Sequence, residues 1–161
     1  MRFFRSVHRV EPVREQDSAA LVRLYDRAWH AQGPSVSPLL LEDQAVPEEE
    51  VSAWMLGGFE LYRTSHDGEL VGAMRLCFPN GVCHVDRLAV DPELWRRGHG
   101  RALLDTAVAR ARRMGVLRLW AQASANLEAA CSLYHELGFH EHGRLRPRYW
   151  KEPIILFERG V

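Results

Sequence analysis

The sequence contains no apolar run that approaches the roughly 20 residues a membrane-spanning helix needs. Its first ten residues mix arginine and histidine with apolar side chains, whereas a signal peptide carries a continuous apolar stretch. These two absences predict a cytoplasmic protein that has no membrane partner.

Neither sign of charge is in excess along the chain. Lysine plus arginine and aspartate plus glutamate both number 21, so the formal net charge is zero. Proteins that bind nucleic acid or a membrane surface usually carry a basic excess. We therefore expect neither of them as the main partner.

Cysteine is scarce, and histidine is scattered. The three cysteines, Cys77, Cys83 and Cys131, are odd in number and lie in apolar surroundings. This pattern predicts reduced core thiols and argues against a disulfide framework or a zinc site. The eight histidines show no pair at metal-ligand spacing, so we predict no metal.

The chain does have enough apolar sequence for one domain over residues 1–161, since 47% of its 161 residues are hydrophobic. Apolar periodicity and turn signals predict alternating helices and strands around a loop at 33–38. Asp91 and Pro92 should end the third strand of a central meander. A meander followed by alternating elements predicts an α/β fold, a mixed sheet with helices on both faces. The predicted strands are 3–10, 59–65, 70–78, 82–90, 116–121, 139–143 and 154–158, and the predicted helices are 15–31, 47–56, 98–114 and 126–137.

The turn between the predicted strand 82–90 and the helix 98–114 is the most informative segment. Backbone N–H groups in the first turn of a helix have no partner within the helix, and the helix dipole makes them an anion site. Two glycines permit close approach of a pyrophosphate, and three arginines add positive charge. The alternative is an ordinary helix start with incidental glycines and solvated arginines. The residues we expect to hold a phosphate are Arg96, Arg97, Gly98, His99, Gly100 and Arg101.

A dinucleotide-binding oxidoreductase is a competing hypothesis for this turn. That class has a third glycine where this chain has Leu103, and an acid after the next strand, where this chain has Trp120 and Ala121. The spacing therefore disfavours a nicotinamide cofactor.

Three landmarks in the right order resemble the GNAT superfamily of N-acetyltransferases. Asn126 begins a predicted helix, Leu133 and Tyr134 follow in it, and Gly138 and Phe139 end it. The resemblance covers about 59–157 and is strongest over 82–139. The family's pyrophosphate loop, Gln/Arg-x-x-Gly-x-Gly/Ala, is similar to Trp95-Arg96-Arg97-Gly98-His99-Gly100, with tryptophan departing from it at the first position.

The resemblance implies a GNAT-like acyl-CoA N-acyltransferase fold and acetyl-CoA as cosubstrate. The central sheet would be mostly antiparallel, with strands 82–90 and 116–121 parallel and splayed apart. The pantetheine arm would pair with the backbone of Leu88, Ala89 and Val90, and the Val90 N–H would serve as the oxyanion donor. Asn126 would hydrogen-bond the pantetheine arm, cap its helix, or do both.

The resemblance also implies catalytic roles. The tyrosine matching Tyr134 protonates or hydrogen-bonds the leaving sulfur in the family. Strand alternation puts residues 82, 84, 86, 88 and 90 on one face, where base-like residues often occur in the family. His84 is the first choice for the base, and Asp86 would orient it or bind the substrate cation. The alternative is two ordinary strand residues, one buried and one paired with Arg75 or Arg87.

We therefore predict an N-acetyltransferase that acts on a primary amine of a small molecule or peptide in a ternary complex. The alternative is a non-catalytic acyl-CoA sensor or interaction module on the same fold, and a homodimer is expected by analogy with the family. Aromatic side chains could hold the amine by cation–π contact or could simply be core. The basic stretch 144–148 could bind an acidic acceptor or the 3′-phosphate of the coenzyme, or it could be a solvated loop. The acceptor candidates are Tyr25, Trp29, His30, Trp54, Arg146, Arg148, Tyr149 and Trp150.

Overall fold

The computed structural model describes residues 8–146 and 152–161. The strands are β1 Val10–Pro12, β2 Glu60–His66, β3 Glu69–Cys77, β4 Cys83–Val90, β5 Arg118–Ser124, β6 His140–Leu145 and β7 Ile154–Gly160. The α-helices are α1 Ser18–Gln32, α2 Pro38–Gln44, α3 Glu48–Leu56, α4 His99–Met114 and α5 Glu128–Glu136.

The seven strands form one mixed sheet in the order β1-β2-β3-β4-β5-β7-β6. All neighbouring pairs are antiparallel except β4 and β5, which are parallel. Only Cys83–Val85 of β4 pairs with β5, opposite residues 119–121. The rest of β4 therefore leaves its neighbour, which confirms the splayed parallel pair and the mixed α/β fold.

Each face of the sheet is covered by helices. Helix α4 buries Leu103, Leu104 and Ala107 against one face, because these apolar positions recur at helical spacing. Helices α1 and α3 bury Leu24 and Val51, among others, against the other face. The two cores hold the splayed strands between them and so fix the position of the gap.

Strand β4 contains a bulge at Arg87. The pairing of β3 with β4 shifts register between Ala73 and Arg75, and Arg87 has a φ of 49°. A bulge inserts one extra residue, and every side chain beyond it changes face. The strand alternation predicted for 82–90 therefore holds only up to the bulge.

The bulge corrects the prediction that Leu88 and Val90 share a face with His84 and Asp86. Val85 lies in the core under α4, whereas Ala89 lies in the core under α1 and α3, although an unbroken strand would put them on one face. Leu88 packs against the α4 core. Its side chain is thus on the opposite face of the sheet from the Asp86 carboxylate, which pairs with Arg75 beside Trp54 of α3.

Some predicted elements begin or end elsewhere. Helix α2 was not predicted, although Ser37 accepts a hydrogen bond from the Leu40 amide and Pro38 takes the first helical position, a typical helix start. The first strand begins at Val10, so its prediction over 3–10 is wrong at residues 8 and 9, and residues 3–7 lie outside the described part of the chain.

The helices and the cysteines can be compared with the predictions about membrane spans and disulfides. In the ranges 8–146 and 152–161, none of the helices has the length and apolar character needed to cross a bilayer. All three cysteines lie in these ranges and are free thiols, with Cys83 buried and the other two half-buried.

Candidate active site

The turn before α4 places unpaired backbone amides at the edge of a groove. The first hydrogen bond of the helix joins the Ala102 amide to the Gly98 carbonyl at 3.0 Å. The N–H groups of residues 99–101 precede this bond and have no acceptor within the helix. They form the positive end of the α4 dipole, where an anion is stabilised.

The backbone of the turn favours glycine at position 98, and Gly100 allows close packing between α4 and α5. Gly98 has a φ of 92°, which side-chain-bearing residues rarely adopt. A Cβ on Gly100 would lie 2.8 Å from Leu133 Cδ2, so its absence lets α5 approach the start of α4. The glycines thus shape the loop and pack the two helices that border the groove.

The His99 side chain lies beneath the loop. Its Nδ1 is 3.1 Å from Thr64 Oγ1, and the imidazole is buried. The ring of His8 stacks on it at 3.8 Å between centroids, and His8 Nε2–H donates to the Arg97 carbonyl at 2.6 Å. Burial, followed by repulsion from His8, His66 and Arg97, lowers the pKa of His99 to about 4. A neutral His99 therefore supports the loop from below.

The groove beside this turn has a volume of about 370 Å³. Arg96 and Arg101 line it, whereas Arg97 does not. Arg101 Nη2 is 3.6 Å from Glu136 Oε2, an acid of α5 that also lines the groove. The groove also contains the predicted residues Leu88, Ala89, Val90, Gly98, His99 and Gly100.

A second cavity of about 300 Å³ adjoins the groove. The two spaces share Trp29, Leu88, Leu127 and Ala130 in their linings. The predicted catalytic residues all line this second cavity. These residues are His84, Asp86 and Tyr134.

Tyr134 is held in place by two aromatic rings, one just before β6 and one on β7. Its side chain is 3% exposed, and its ring lies 5.3 Å from that of Phe139 and 5.1 Å from that of Phe157. Burial, with a smaller contribution from Asp86, raises the pKa of the Tyr134 phenol well above its usual range. The hydroxyl therefore stays protonated, as a hydrogen-bond donor must.

Asp86 is occupied by an ion pair. Arg75 Nε and Nη2 donate to its two carboxylate oxygens, each at 2.7 Å. The Arg75 guanidinium also lies over the rings of Trp54 and Phe59. His84 instead contacts Cys77, whose sulfur is 4.0 Å from His84 Nδ1. The Asp86 carboxylate thus faces Arg75 and does not orient His84. A pairing of Asp86 with Arg75 is what the alternative interpretation of these strand residues allowed.

Asn126 and several acceptor candidates lie away from the cavities. Asn126 is exposed, lines neither space and does not cap α5, which begins at Glu128 after Leu127. Tyr25 and Trp54 are core residues. Among the remaining candidates, Trp29 lines both spaces, His30 and Arg146 are exposed and line neither, and Arg148, Tyr149 and Trp150 lie outside the described residues.

Sequence reasoning missed the polar residues that complete the second cavity. Tertiary contacts bring them there from α2, β3, β4 and β5. The only available signal was strand alternation, which puts Gln122 on the exposed side of β5. The additional polar lining residues are Asp43, Gln44, Arg75, Arg87, Gln122 and Ser124.

Comparison with known proteins agrees with this geometry. The model of the acetyltransferase (GNAT) family matches residues 18–139. The match spans the splayed strands, the α4 turn and Tyr134. The chain therefore belongs to the acetyltransferase (GNAT) family.

Similarity to individual proteins is partial in sequence and extensive in fold. The chain is 41% identical over 63 residues to the ribosomal protein bS18-alanine N-acetyltransferase of Escherichia coli K12, a match covering 39% of this chain and 42% of that protein. The crystal structure of the Escherichia coli ribosomal-protein-S18-alanine N-acetyltransferase aligns with a TM-score of 0.77 at 21% identity, over 96% and 94% of the two chains. The PaiA N-acetyltransferase from Thermoplasma acidophilum, in complex with coenzyme A, aligns with a TM-score of 0.83 at 15% identity, over 95% and 98%.

Proposed function

We propose that the protein transfers the acetyl group of acetyl-CoA to a primary amine in a ternary complex. The observation that carries this proposal is the junction of the two spaces. Residues 99–101, whose amides have no partner within α4, line one of them, and Tyr134, whose phenol stays protonated, lines the other. A coenzyme bound by its phosphates in the groove would then reach Tyr134 with its thioester.

The groove offers two kinds of contact to the coenzyme. The N–H groups of residues 99–101, with the nearby Arg96 side chain, fit a pyrophosphate. The edge of β4 over residues 88–90 has left β5, so backbone groups there that face away from β3, such as the Val90 N–H, fit a pantetheine arm. These contacts would hold the thioester carbonyl near the Val90 N–H.

Tyr134 would act on the leaving sulfur. The amine nitrogen forms a bond to the acetyl carbon, the carbon–sulfur bond breaks, and the sulfur keeps the electron pair. The Tyr134 hydroxyl then donates a hydrogen bond or its proton to that sulfur. A phenol does this without placing a second negative charge beside the forming thiolate.

His84 is the side chain we propose for removing the amine proton, directly or through water. An alkyl ammonium must lose a proton before its nitrogen can attack. Asp86 is less suited because Arg75 occupies both of its oxygens. The Arg75–Asp86 pair instead fixes the wall of the cavity around His84.

Asp43 is our candidate for attracting the substrate ammonium. It lines the cavity from α2 and is exposed, and within the described residues no basic side chain pairs with it. The partly matching relative from Escherichia coli is named for an alanine of ribosomal protein bS18. We therefore place a peptide with an N-terminal alanine first among the acceptors, ahead of small amines.

The experiment is an acceptor screen with acetyl-CoA. Release of free thiol is followed with an alanine-first peptide, the same peptide acetylated at its N-terminus, free amino acids and polyamines. The proposal expects amine-dependent thiol release, with none for the blocked peptide. Tight coenzyme A binding with no release on any amine would instead favour an acyl-CoA sensor.

We further propose that residues 1–161 form one acetyltransferase domain that works in the cytoplasm. The family match over 18–139 and the free thiols support this arrangement. A homodimer remains a prediction, which light scattering on the purified protein tests directly.

A further inference from the structure

Trp95 forms a contact that its place in the pyrophosphate loop does not explain. Its indole Nε1–H donates a hydrogen bond of 2.8 Å to the Val90 carbonyl. The side chain is 37% exposed and lines the groove. Tryptophan stands here where the loop pattern has glutamine or arginine, so this contact belongs to this chain's own version of the loop.

The direction of the Val90 carbonyl follows from its neighbour. The Asp91 amide donates to the Val71 carbonyl of β3 at 2.7 Å. In a trans peptide the N–H and the preceding C=O point in opposite directions, so the Val90 carbonyl points away from β3. It faces the gap that β4 leaves when it separates from β5.

The Val90 N–H faces the same gap. Val90 lies opposite Gly72 of β3, and the flanking Asp91–Val71 bond makes this a pair without mutual hydrogen bonds. Both backbone groups of Val90 therefore point into the groove. The Trp95 indole N–H donates to the Val90 carbonyl, and the Val90 N–H is left without a partner in the strand.

We propose that Trp95 is a positioning residue that caps the Val90 carbonyl and leaves the Val90 N–H as the backbone group offered to a ligand there. This inference rests on the proposed function, because the ligand in question is the pantetheine arm of coenzyme A. At Val90 the coenzyme would present its thioester carbonyl to the N–H, and the pantetheine arm would donate no amide to the Val90 carbonyl.

The cap also joins the end of β4 to the loop that precedes α4. Arg96, the next residue, has a φ of 63°, in the left-handed region that favours glycine. A hydrogen bond from Trp95 to the strand holds the chain at the position just before this strained residue. Removing the bond would let the loop relax and would weaken the alignment of its amides with a bound phosphate.

The first test compares Trp95→Phe with Trp120→Phe, a control for an exposed tryptophan on β5. We expect coenzyme A to bind Trp95→Phe about fivefold more weakly, as for loss of one ordinary hydrogen bond. The KM for acetyl-CoA should rise by a similar factor while kcat is unchanged, and the control should match the original protein. Unchanged coenzyme A binding in Trp95→Phe would overturn the proposal. Tighter binding would also overturn it, because it would mean that the Trp95 side chain competes with the coenzyme for the Val90 carbonyl.

The second test uses the unmodified protein labelled with nitrogen-15. The Trp95 indole N–H resonance, identified by its loss in Trp95→Phe, should exchange slowly with solvent both with and without coenzyme A. Faster exchange on coenzyme binding would mean that the arm displaces the cap, and it would overturn the proposal. If the proposed function is wrong, the unmodified protein will not bind coenzyme A. The exchange rate of the Trp95 indole N–H still tests the hydrogen bond to Val90 in that case: slow exchange would support the bond, and fast exchange would refute it.

Discussion

The Tyr25 hydroxyl donates a hydrogen bond of 2.7 Å to the Arg87 carbonyl, at the bulge of β4. Tyr25 belongs to α1 and is almost fully buried. Burial raises the pKa of its phenol well above the usual range, so it remains a donor. Helix α1 thus holds the kink that turns Leu88 and Val90 toward α4 and the groove.

Tyr25→Phe should destabilise the protein and lower its activity. The Arg87 carbonyl would lose its partner in a buried place, at a cost of about 1–2 kcal/mol in the free energy of unfolding. Urea unfolding measures this cost, and Tyr62→Phe, whose hydroxyl bonds the half-buried Glu60, is the matched control with a smaller effect. An unchanged free energy of unfolding in Tyr25→Phe would mean that the bulge does not depend on α1.

Tyr134→Phe should reduce kcat at least tenfold, on the order expected for loss of a proton donor. The phenyl ring keeps the contacts with Phe139 and Phe157, so folding should persist. Steady-state kinetics measures the loss, and calorimetry should show coenzyme A binding close to that of the original protein. Full turnover in this variant would remove Tyr134 from the mechanism.

Gly98→Ala should weaken coenzyme A binding, and Gly58→Ala should not. Both positions have φ near 90°, at 92° and 86°, so each substitution carries a similar strain of about 1–2 kcal/mol. Only Gly98 precedes the unpaired amides of α4. Thermal unfolding should show similar losses of stability in the two variants, because the strain is similar. Calorimetry should show weaker coenzyme A binding in Gly98→Ala alone. Equal coenzyme A affinities would contradict the phosphate site at this turn.

His99 should make stability depend on pH in a mildly acidic window. Its pKa is about 4 in the folded protein and near 6.5 when unfolded, so the unfolded chain takes up the proton first as the pH falls. Stability should therefore drop between about pH 6.5 and pH 4, by no more than about 1.4 kcal/mol per pH unit from this group. Urea unfolding across the window measures the slope.

The share of His99 in that slope can be isolated by substitution. His8 and His66 also face its ring, and the nearby Arg97 carries a fixed charge. His99→Gln should flatten the dependence, while His30→Gln, at an exposed position, should leave it unchanged. An identical slope in His99→Gln would mean that His99 is not the source of the pH dependence.

Asp43→Asn should raise the KM for the amine while leaving the KM for acetyl-CoA unchanged. The variant removes a negative charge from the lining of the second cavity but not from the groove. An effect of about threefold to tenfold is expected for an exposed charge facing an ammonium group. Glu42→Gln, the neighbouring acid that lines neither space, is the control. Equal amine KM values in the two variants would place the ammonium elsewhere.

The turn before α4, with its unpaired amides, could be predicted from sequence because its determinants are local. A strand, two glycines and a helix start lie within a few residues, and helix geometry leaves the amides at 99–101 unpaired whatever the rest of the fold. Tyr134 was identified through the resemblance to the GNAT superfamily, which Leu133, Gly138 and Phe139 carry beside it. The meander of β2, β3 and β4 followed from turn signals and apolar runs.

The bulge at Arg87 could not be predicted, because its determinants are distant in sequence. The partner that holds it, Tyr25, lies 62 residues away. The same holds for the pairing of Asp86 with Arg75, which depends on strand register, and register shifts at the bulge. Periodicity alone therefore placed Leu88 on the wrong face and left the role of Asp86 open.

Hydrogen exchange read out by mass spectrometry, with and without coenzyme A, tests the central claim most directly. The account predicts slower exchange at the amides of residues 88–90 and 98–101, because the coenzyme would bind the edge of β4 and the start of α4. Slower exchange elsewhere, with these two segments unchanged, would contradict it.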